Sequence, residues 1–340
     1  MAGRGTRATA TDYNNIQATV ASVMGLGSTT TGYGQPITST QVVPGAVITV
    51  AQWTTLRNDL SKARVHQTNA AVVDGLASIS ANRGSPWQTL QIVTGSTTIS
   101  EDIRDQYNQF SSGIQSNKDV IAATGQSTSG IALTSSTRVT AWGTGATPTR
   151  THTFTVTFAG YTSGSLTVPA ADHARCFFNA GGQINITASR TGTAATTKDT
   201  DWTNMLSGFG TFSFKNSSCS VTGSINSPGS VSGTTGFSTL TVGAVSQTTV
   251  FTQASSVSVY AENRYTVGVR RPTANTIEFS VIFNDADTGD RPVPSPPAPF
   301  GPLVDESVTG TLTSTITCTR PSGSNVDVPA PTAATSVNIT

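Results

Sequence analysis

Charge is what this chain has least of. Asp, Glu, Lys and Arg make up 11% of its 340 residues, against about 25% in a typical soluble domain. The net charge is +1, so little long-range field exists to draw nucleic acid or anionic lipid, and neither is expected as a partner. Cysteine is also scarce. Cys176, Cys219 and Cys318 are too few and too scattered for a disulfide framework. Cys176 precedes Phe177 and Phe178, and Cys318 falls at an alternating position of a strand pattern, so both read as small core hydrophobes in a reducing compartment. No apolar run reaches membrane-spanning length, and the first residues lack the apolar stretch of a secretory signal. Folding in a cytosol without membrane contact is therefore expected.

Ser, Thr, Gly, Asn and Gln take the place of the missing charge. Disordered chains pair low hydrophobicity with high net charge, whereas here the apolar residues fall in ordered patterns. The chain reads as mainly β with a helical N-terminal part.

Residues 1–130 carry three helical segments and read as an attachment or assembly region. Tyr13, Ile16, Val20, Val23 and Met24 make one stripe, with Thr11 as N-cap and Gly25 and Gly27 at the end. Thr49 with Gln52 fits a capping box ahead of Trp53, Leu56, Leu60 and Ala63. Ser100 is the expected cap of a third helix, with Glu101 and Asp102 in its first turn and Ile103, Tyr107, Phe110 and Ile114 on one face.

Beyond Arg138 the period becomes two. Phe154, Val156 and Phe158 alternate with threonines, as do Ile184 and Ile186, Phe212 and Phe214, and Val257 and Val259 with polar residues. The longest such runs are Ile277, Phe279, Val281 and Phe283, and Leu312, Ser314, Ile316 and Cys318. Each gives a strand with one buried face and one hydroxyl-lined face. Residues 138–340 are thus expected to form an antiparallel β-sandwich, jelly-roll-like, with one helical plug at residues 201–206 around Trp202, Met205 and Leu206. A proline-rich excursion, residues 291–302, interrupts it with extended chain.

Chemistry is hard to find. The three histidines, His66, His152 and His173, lie at no metal-ligand spacing. His66 and His152 read as solvent-facing; His173, beside Asp172 and Arg175, reads as part of a structural hydrogen-bonded turn rather than a relay. Residues 284–290, Asn-Asp-Ala-Asp-Thr-Gly-Asp, set oxygen ligands at alternate positions like part of a calcium loop. The bidentate glutamate that completes such a loop is missing, and Asp, Asn and Gly are also what a tight turn uses. No phosphate-cradling glycine motif and no glycosidase pair of carboxylates stands out. The residues thus nominate no catalytic, cofactor-binding or metal-binding set, and a hydrolase is the weakest reading. Tyr33, Trp87, Trp142 and Tyr161 fall in loop-like sequence and are candidates to contact sugar or protein, or to pack at an edge.

One stretch carries a resemblance. Asp172-His173-Ala174-Arg175 leads through Phe177-Phe178-Asn179 and Gly181-Gly182 to Ile184 and Ile186, then Ser189-Arg190-Thr191-Gly192 and finally Trp202, Asn204 and Leu206. Together with Tyr13-Asn14 and Ile16, and with Gln52-Trp53, Leu56-Arg57 and Asp59-Leu60, this resembles structural proteins of tailed bacteriophages, particularly marine and cyanobacterial ones. The resemblance covers roughly residues 9–215. It implies a non-enzymatic virion component of tail, neck or fibre, assembled in the host cytoplasm as a homo-oligomer on other virion proteins of tail, neck or head. A receptor- or glycan-binding fibre module contacting the host surface is the alternative. In physical terms, Gly181-Gly182 permits close backbone approach, Arg175 and Arg190 can fork onto carbonyls, and Trp202 is a large anchor.

Overall fold

The computed structural model describes residues 9–69, 90–94, 97–101, 103–118, 127–144, 148–287 and 305–338. Trp87 and the proline-rich stretch 291–302 lie outside them. The expected class holds: helices come first, and antiparallel sheets dominate the remainder of the chain. The chain divides into two units that interleave along the sequence. One holds Met1–Thr128, Gly160–Gly181 and Arg320–Pro329; the other holds Ser129–Ala159, Gly182–Thr319 and Ala330–Thr340.

The first unit is built on helices α1 (Ala10–Met24), α2 (Val50–Thr68) and α3 (Ile103–Ser116). The cap of α1 is Thr9, two residues earlier than expected: its Oγ1 accepts from the Asp12 N–H at 3.2 Å while the Asp12 carboxylate takes the Thr9 N–H at 2.8 Å. Asp12, three residues after Thr9, closes that box, and Thr11 has no such partner in its sequence. The Thr49–Gln52 box at the head of α2 forms as read, and Asn69 ends the helix in the left-handed conformation. Ser100 does not cap α3. It and Glu101 belong to a strand, Thr97–Glu101, that hairpins with Leu90–Thr94. Trp53 ties the three helices together, edge-on to Tyr13 at 5.2 Å and to Tyr107 at 5.3 Å.

The segment 160–181 adds a small hairpin, Tyr161–Ser163 with Leu166–Val168, and a helix the sequence reading did not include, α4 (Ala170–Asn179). Its buried positions, Ala174, Cys176, Phe177 and Phe178, are consecutive enough to mimic a strand. Pro169, fixed at φ −63°, leads into it, and its carbonyl accepts from the N–H groups of Asp172 and His173.

The second unit is the sandwich. One sheet runs Ser230–Val231, Thr248–Ala254, Arg264–Thr273, Thr276–Asn284, Thr149–Thr157 and Thr332–Asn338; the other runs Ser127–Arg138, Thr311–Pro321, Gln183–Thr191, Phe212–Phe214 and Cys219–Val221. Inner faces meet ring to ring, Phe212 on Phe251 at 5.6 Å and Phe214 on Phe279 at 5.3 Å. Helix α5 (Thr197–Phe209), longer than the expected plug, drives Phe209 against Tyr265 and Phe251, and Trp202 against Trp142. Val257 is not in a strand: residues Ser258–Tyr260 make a 3₁₀ turn, and Val257 is exposed.

Candidate functional site

Four of the residues that carry the resemblance, Tyr13, Asn14, Asp59 and Arg175, make internal ties within the first unit. Tyr13 donates its hydroxyl to the Gln52 carbonyl at 3.1 Å. Asn14 holds Val42 by both its amide and its carbonyl, at 2.9 and 2.8 Å. Asp59 is fully buried and accepts from the N–H groups of Thr38 and Ser39 at 2.8 and 2.7 Å. Arg175 forks onto the carbonyls of Leu26 and Thr31 and pairs with Asp172 at 2.7 Å. Leu26, Thr31, Thr38, Ser39 and Val42 lie on the long loop 25–49 between α1 and α2, whereas Gln52 is in the first turn of α2 and Asp172 in α4. Gly34, at φ +65°, sits so close to Tyr161 that an added Cβ would fall 2.2 Å from its hydroxyl. The loop is therefore pinned from Leu26 to Val42. Its tip exposes Val43 (73%) and Val47 (78%), with Val50 just beyond at the start of α2.

The histidines are structural. His173 pairs through Nε2 with the Pro329 carbonyl at 3.0 Å, a partner the sequence did not indicate. His66 was expected at the surface, but it is fully buried in the last turn of α2, 3.0 Å from the Ala180 carbonyl. It continues the stripe of Leu56, Leu60 and Ala63 at helical spacing. His152 was also expected to face solvent. It shares strand parity with Phe154 and Val156 and is fully buried, with Nδ1 2.9 Å from the Ser314 hydroxyl. Burial, aided by the positive charge of Arg138, brings its pKa down to about 4. Tyr33 and Trp142 are core residues, so neither is presented to a sugar or a partner. Tyr161 is half-buried and donates to the Gly34 carbonyl at 3.3 Å.

The densest chemistry lies in the second unit, where sequence reasoning saw only half of it. Asp285 and Asp287 come from the acidic turn, and Asp305 from beyond the proline-rich stretch. All three converge on Lys198 in the first turn of α5. The Lys198 Nζ is 3.0 Å from Asp285, 3.0 Å from Asp287 and 3.3 Å from Asp305, and its side chain is fully buried. The ammonium thus occupies the centre that the calcium-loop reading reserved for a cation. Asp285 is fully buried as well, and its Oδ1 meets no hydrogen-bond partner among the described residues. Burial pushes the Asp285 carboxyl up to about 8, against the pull of Lys198 and with the push of Asp287. For Lys198, burial favours the neutral amine, but hydrogen bonds and charge from Asp285 and Asp287 outweigh it and hold the ammonium above its ordinary range. Asn263, itself buried, donates to the Asp287 Oδ2 at 3.3 Å and accepts from the Ala286 N–H at 2.9 Å, which fixes the turn.

Beside it, Arg190 and Asp199 form a second buried pair at 2.8 Å. Burial works to raise the Asp199 pKa, but the Thr309 hydroxyl and N–H, the Ala195 N–H and Arg190 together hold it below the ordinary carboxylate range. No local signal links Lys198 to Asp285, 87 positions later; only the folded sandwich brings them together.

The described residues also line a polar cleft of about 260 Å³ in the first unit, among Gln35, Lys62, Ser163, Asn325 and Asp327. No family model matches the chain, and no curated protein or solved structure matches it.

Proposed function

We propose that this protein is a non-enzymatic structural component of a tailed-phage virion, in tail, neck or a fibre-like appendage, working as a symmetric homo-oligomer seated on other virion proteins. The observation that carries the reading is the pinned loop 25–49. Asn14, Asp59 and Arg175 belong to the motifs that resemble phage structural proteins, and each ties that loop by hydrogen bonds to its backbone. What the loop presents is apolar: Val43 and Val47 at the tip, with Val50 beside them. An exposed apolar tip carried on a pinned stem, on a surface poor in charge, is a contact surface whose stem loses little entropy on docking. Repeated by rotational symmetry, a small contact of this kind sums to a stable ring.

The test is the oligomeric state of the purified full chain by light scattering, beside Val43→Asp with Val47→Asp. The reading expects an oligomer that the paired substitution dissociates without lowering the melting temperature. A chain that stays monomeric at high concentration and is missing from purified particles by mass spectrometry sinks it. A second reading, a glycan-binding module contacting the host surface, is favoured by the polar cleft, whose amides, hydroxyl and carboxylate are the groups that bind sugar hydroxyls. It expects glycan-array binding that Asp327→Ala abolishes.

A further inference from the structure

We propose that Lys198 and Asp285 condense to an internal amide, a covalent cross-link between helix α5 and the end of the strand Thr276–Asn284, with Asp287 carrying the proton. The geometry is that of a poised reaction. The Lys198 Nζ lies 3.0 Å from the Asp285 Oδ2, and both side chains are fully buried. The Asp287 Oδ1 lies 3.0 Å from the same nitrogen, while its Oδ2 is occupied by Asn263. Three features separate this cluster from an ordinary ion pair.

The first is that Asp285 is held as an electrophile rather than as an anion. Its Oδ1 has no donor among the described residues, and an ionised carboxylate in that state is heavily disfavoured. Burial accordingly keeps its proton on up to about pH 8. The second is access. Gly143, at φ +87°, packs so tightly that an added Cβ would stand 2.3 Å from the Asp285 Oδ2, and the Gly143 carbonyl faces the Lys198 Nζ at 3.5 Å. A residue with a side chain there would push the carboxyl out of line. The third is a separate proton acceptor. The carboxylates favour the ammonium form of Lys198, so attack waits on transfer of one proton to Asp287.

The step balances without an external reagent. Asp287 takes a proton from the Lys198 ammonium, and the neutral amine attacks Cγ of protonated Asp285, forming the Nζ–Cγ bond. The tetrahedral centre collapses as Asp287 gives that proton to the departing oxygen, breaking Cγ–Oδ2 and releasing one water, and Asp287 then takes the second proton from the nitrogen, which leaves a neutral amide and a protonated Asp287. Asp305, whose side chain is 24% exposed, borders the cluster at 3.3 Å from the Lys198 Nζ. Holding the two groups in contact replaces a bimolecular encounter with a unimolecular one, worth an effective concentration of about 10⁵ M or more. Exclusion of water from the buried pair also disfavours hydrolysis of the product. The cross-link requires only this sandwich and is independent of the proposed virion role.

The test is the intact mass of the purified, denatured full chain after incubation at neutral pH. The expected mass is that of the sequence less one water, with a branched peptide joining Lys198 to Asp285 and no tryptic cleavage after Lys198. Folded wild-type protein at full mass overturns the proposal. So does a missing water that persists in Lys198→Met, since that loss then arises elsewhere. Asp287→Asn, checked for native circular dichroism, is expected to keep the full mass; complete cross-linking in that variant refutes Asp287 as the proton carrier. Failure of either variant to fold leaves the wild-type mass decisive.

Discussion

Acid should destabilise this protein through His152. The ring is fully buried on the inner face of Thr149–Thr157, 2.9 Å from the Ser314 hydroxyl and edge-on to Phe283 at 5.4 Å. Burial first and Arg138 second lower its pKa from 6.5 to about 4. Between those values the unfolded chain binds the proton and the native protein does not, so stability falls as pH falls. At about 1.4 kcal/mol for each pH unit of that interval, the loss is about 3 kcal/mol by pH 4, and this group removes nothing more below it. Asp285, for as long as it remains a free carboxyl, acts in the opposite sense. Its raised pKa means the native form holds the extra proton from about pH 8 downward, so acidification is stabilising there. The two effects separate only in a difference measurement. Urea unfolding of wild type and His152→Leu, stepped from pH 7 to pH 4, supplies it. The substitution orphans the Ser314 hydroxyl and should cost about 1–3 kcal/mol at pH 7. As the wild type alone loses about 3 kcal/mol, the gap should close by pH 4 and, where the initial cost is at the low end, change sign on the way. Parallel curves throughout, or a His152 ring titrating near 6.5 by NMR, would refute the argument.

Three further outcomes are expected from the packing. Arg175→Lys keeps the charge but loses the fork onto the Leu26 and Thr31 carbonyls; it should cost about 2 kcal/mol in chemical unfolding, while Asp172→Asn, at a side chain 35% exposed, should cost under about 1 kcal/mol. Gly34→Ala puts a Cβ 2.2 Å from the Tyr161 hydroxyl and 3.1 Å from Cys176 Sγ at φ +65°, and should lower the melting temperature well beyond Gly45→Ala, where φ is +87° but nothing lies within 4 Å and only about 1 kcal/mol of backbone strain is expected. Cys176 and Cys219, pushed by burial to about 12, should ignore a thiol reagent at neutral pH and react with Cys318 only as the chain unfolds, so modification of any of them without loss of native circular dichroism contradicts their burial.

Much of the fold was legible because burial imposes a period. The alternation of Ile277, Phe279, Val281 and Phe283 yields a strand with Ile277 and Phe279 in the core, and the Thr49–Gln52 pair caps α2 as read. The same period could have placed two residues that were misread. His152 sits in step with Phe154 and Val156, and His66 in step with Leu56, Leu60 and Ala63. Residue type argued for the surface, and position argued for the core; position won because each ring found a partner, Ser314 for one and the Ala180 carbonyl for the other. Helix α4 was hidden for the opposite reason: Cys176, Phe177 and Phe178 are buried in a row, and a run of apolar residues carries no period to read. The Lys198 cluster was beyond reach in principle, since its members come from a helix, a strand end and a segment past the proline-rich stretch.

The scarcity of charge gives the buried groups their meaning. With charged residues at 11%, this chain still buries Lys198, Asp199, Asp201, Asp285 and Arg190 around the start of one helix. Removing each ion from water costs several kcal/mol, so such a cluster adds little net stability over an apolar packing of the same volume. What it adds is position. Trp202, Met205 and Leu206 would hold α5 against the sandwich over a range of rotations, because apolar contact is not directional. Asp199 gripped by Arg190 and Thr309, and Lys198 gripped by three aspartates, accept only one. The same division of labour holds in the first unit, where apolar stripes pack the helices while Asn14, Asp59 and Arg175 fix one loop. In both units apolar packing supplies contact without direction, and the buried polar ties choose one arrangement among those it allows.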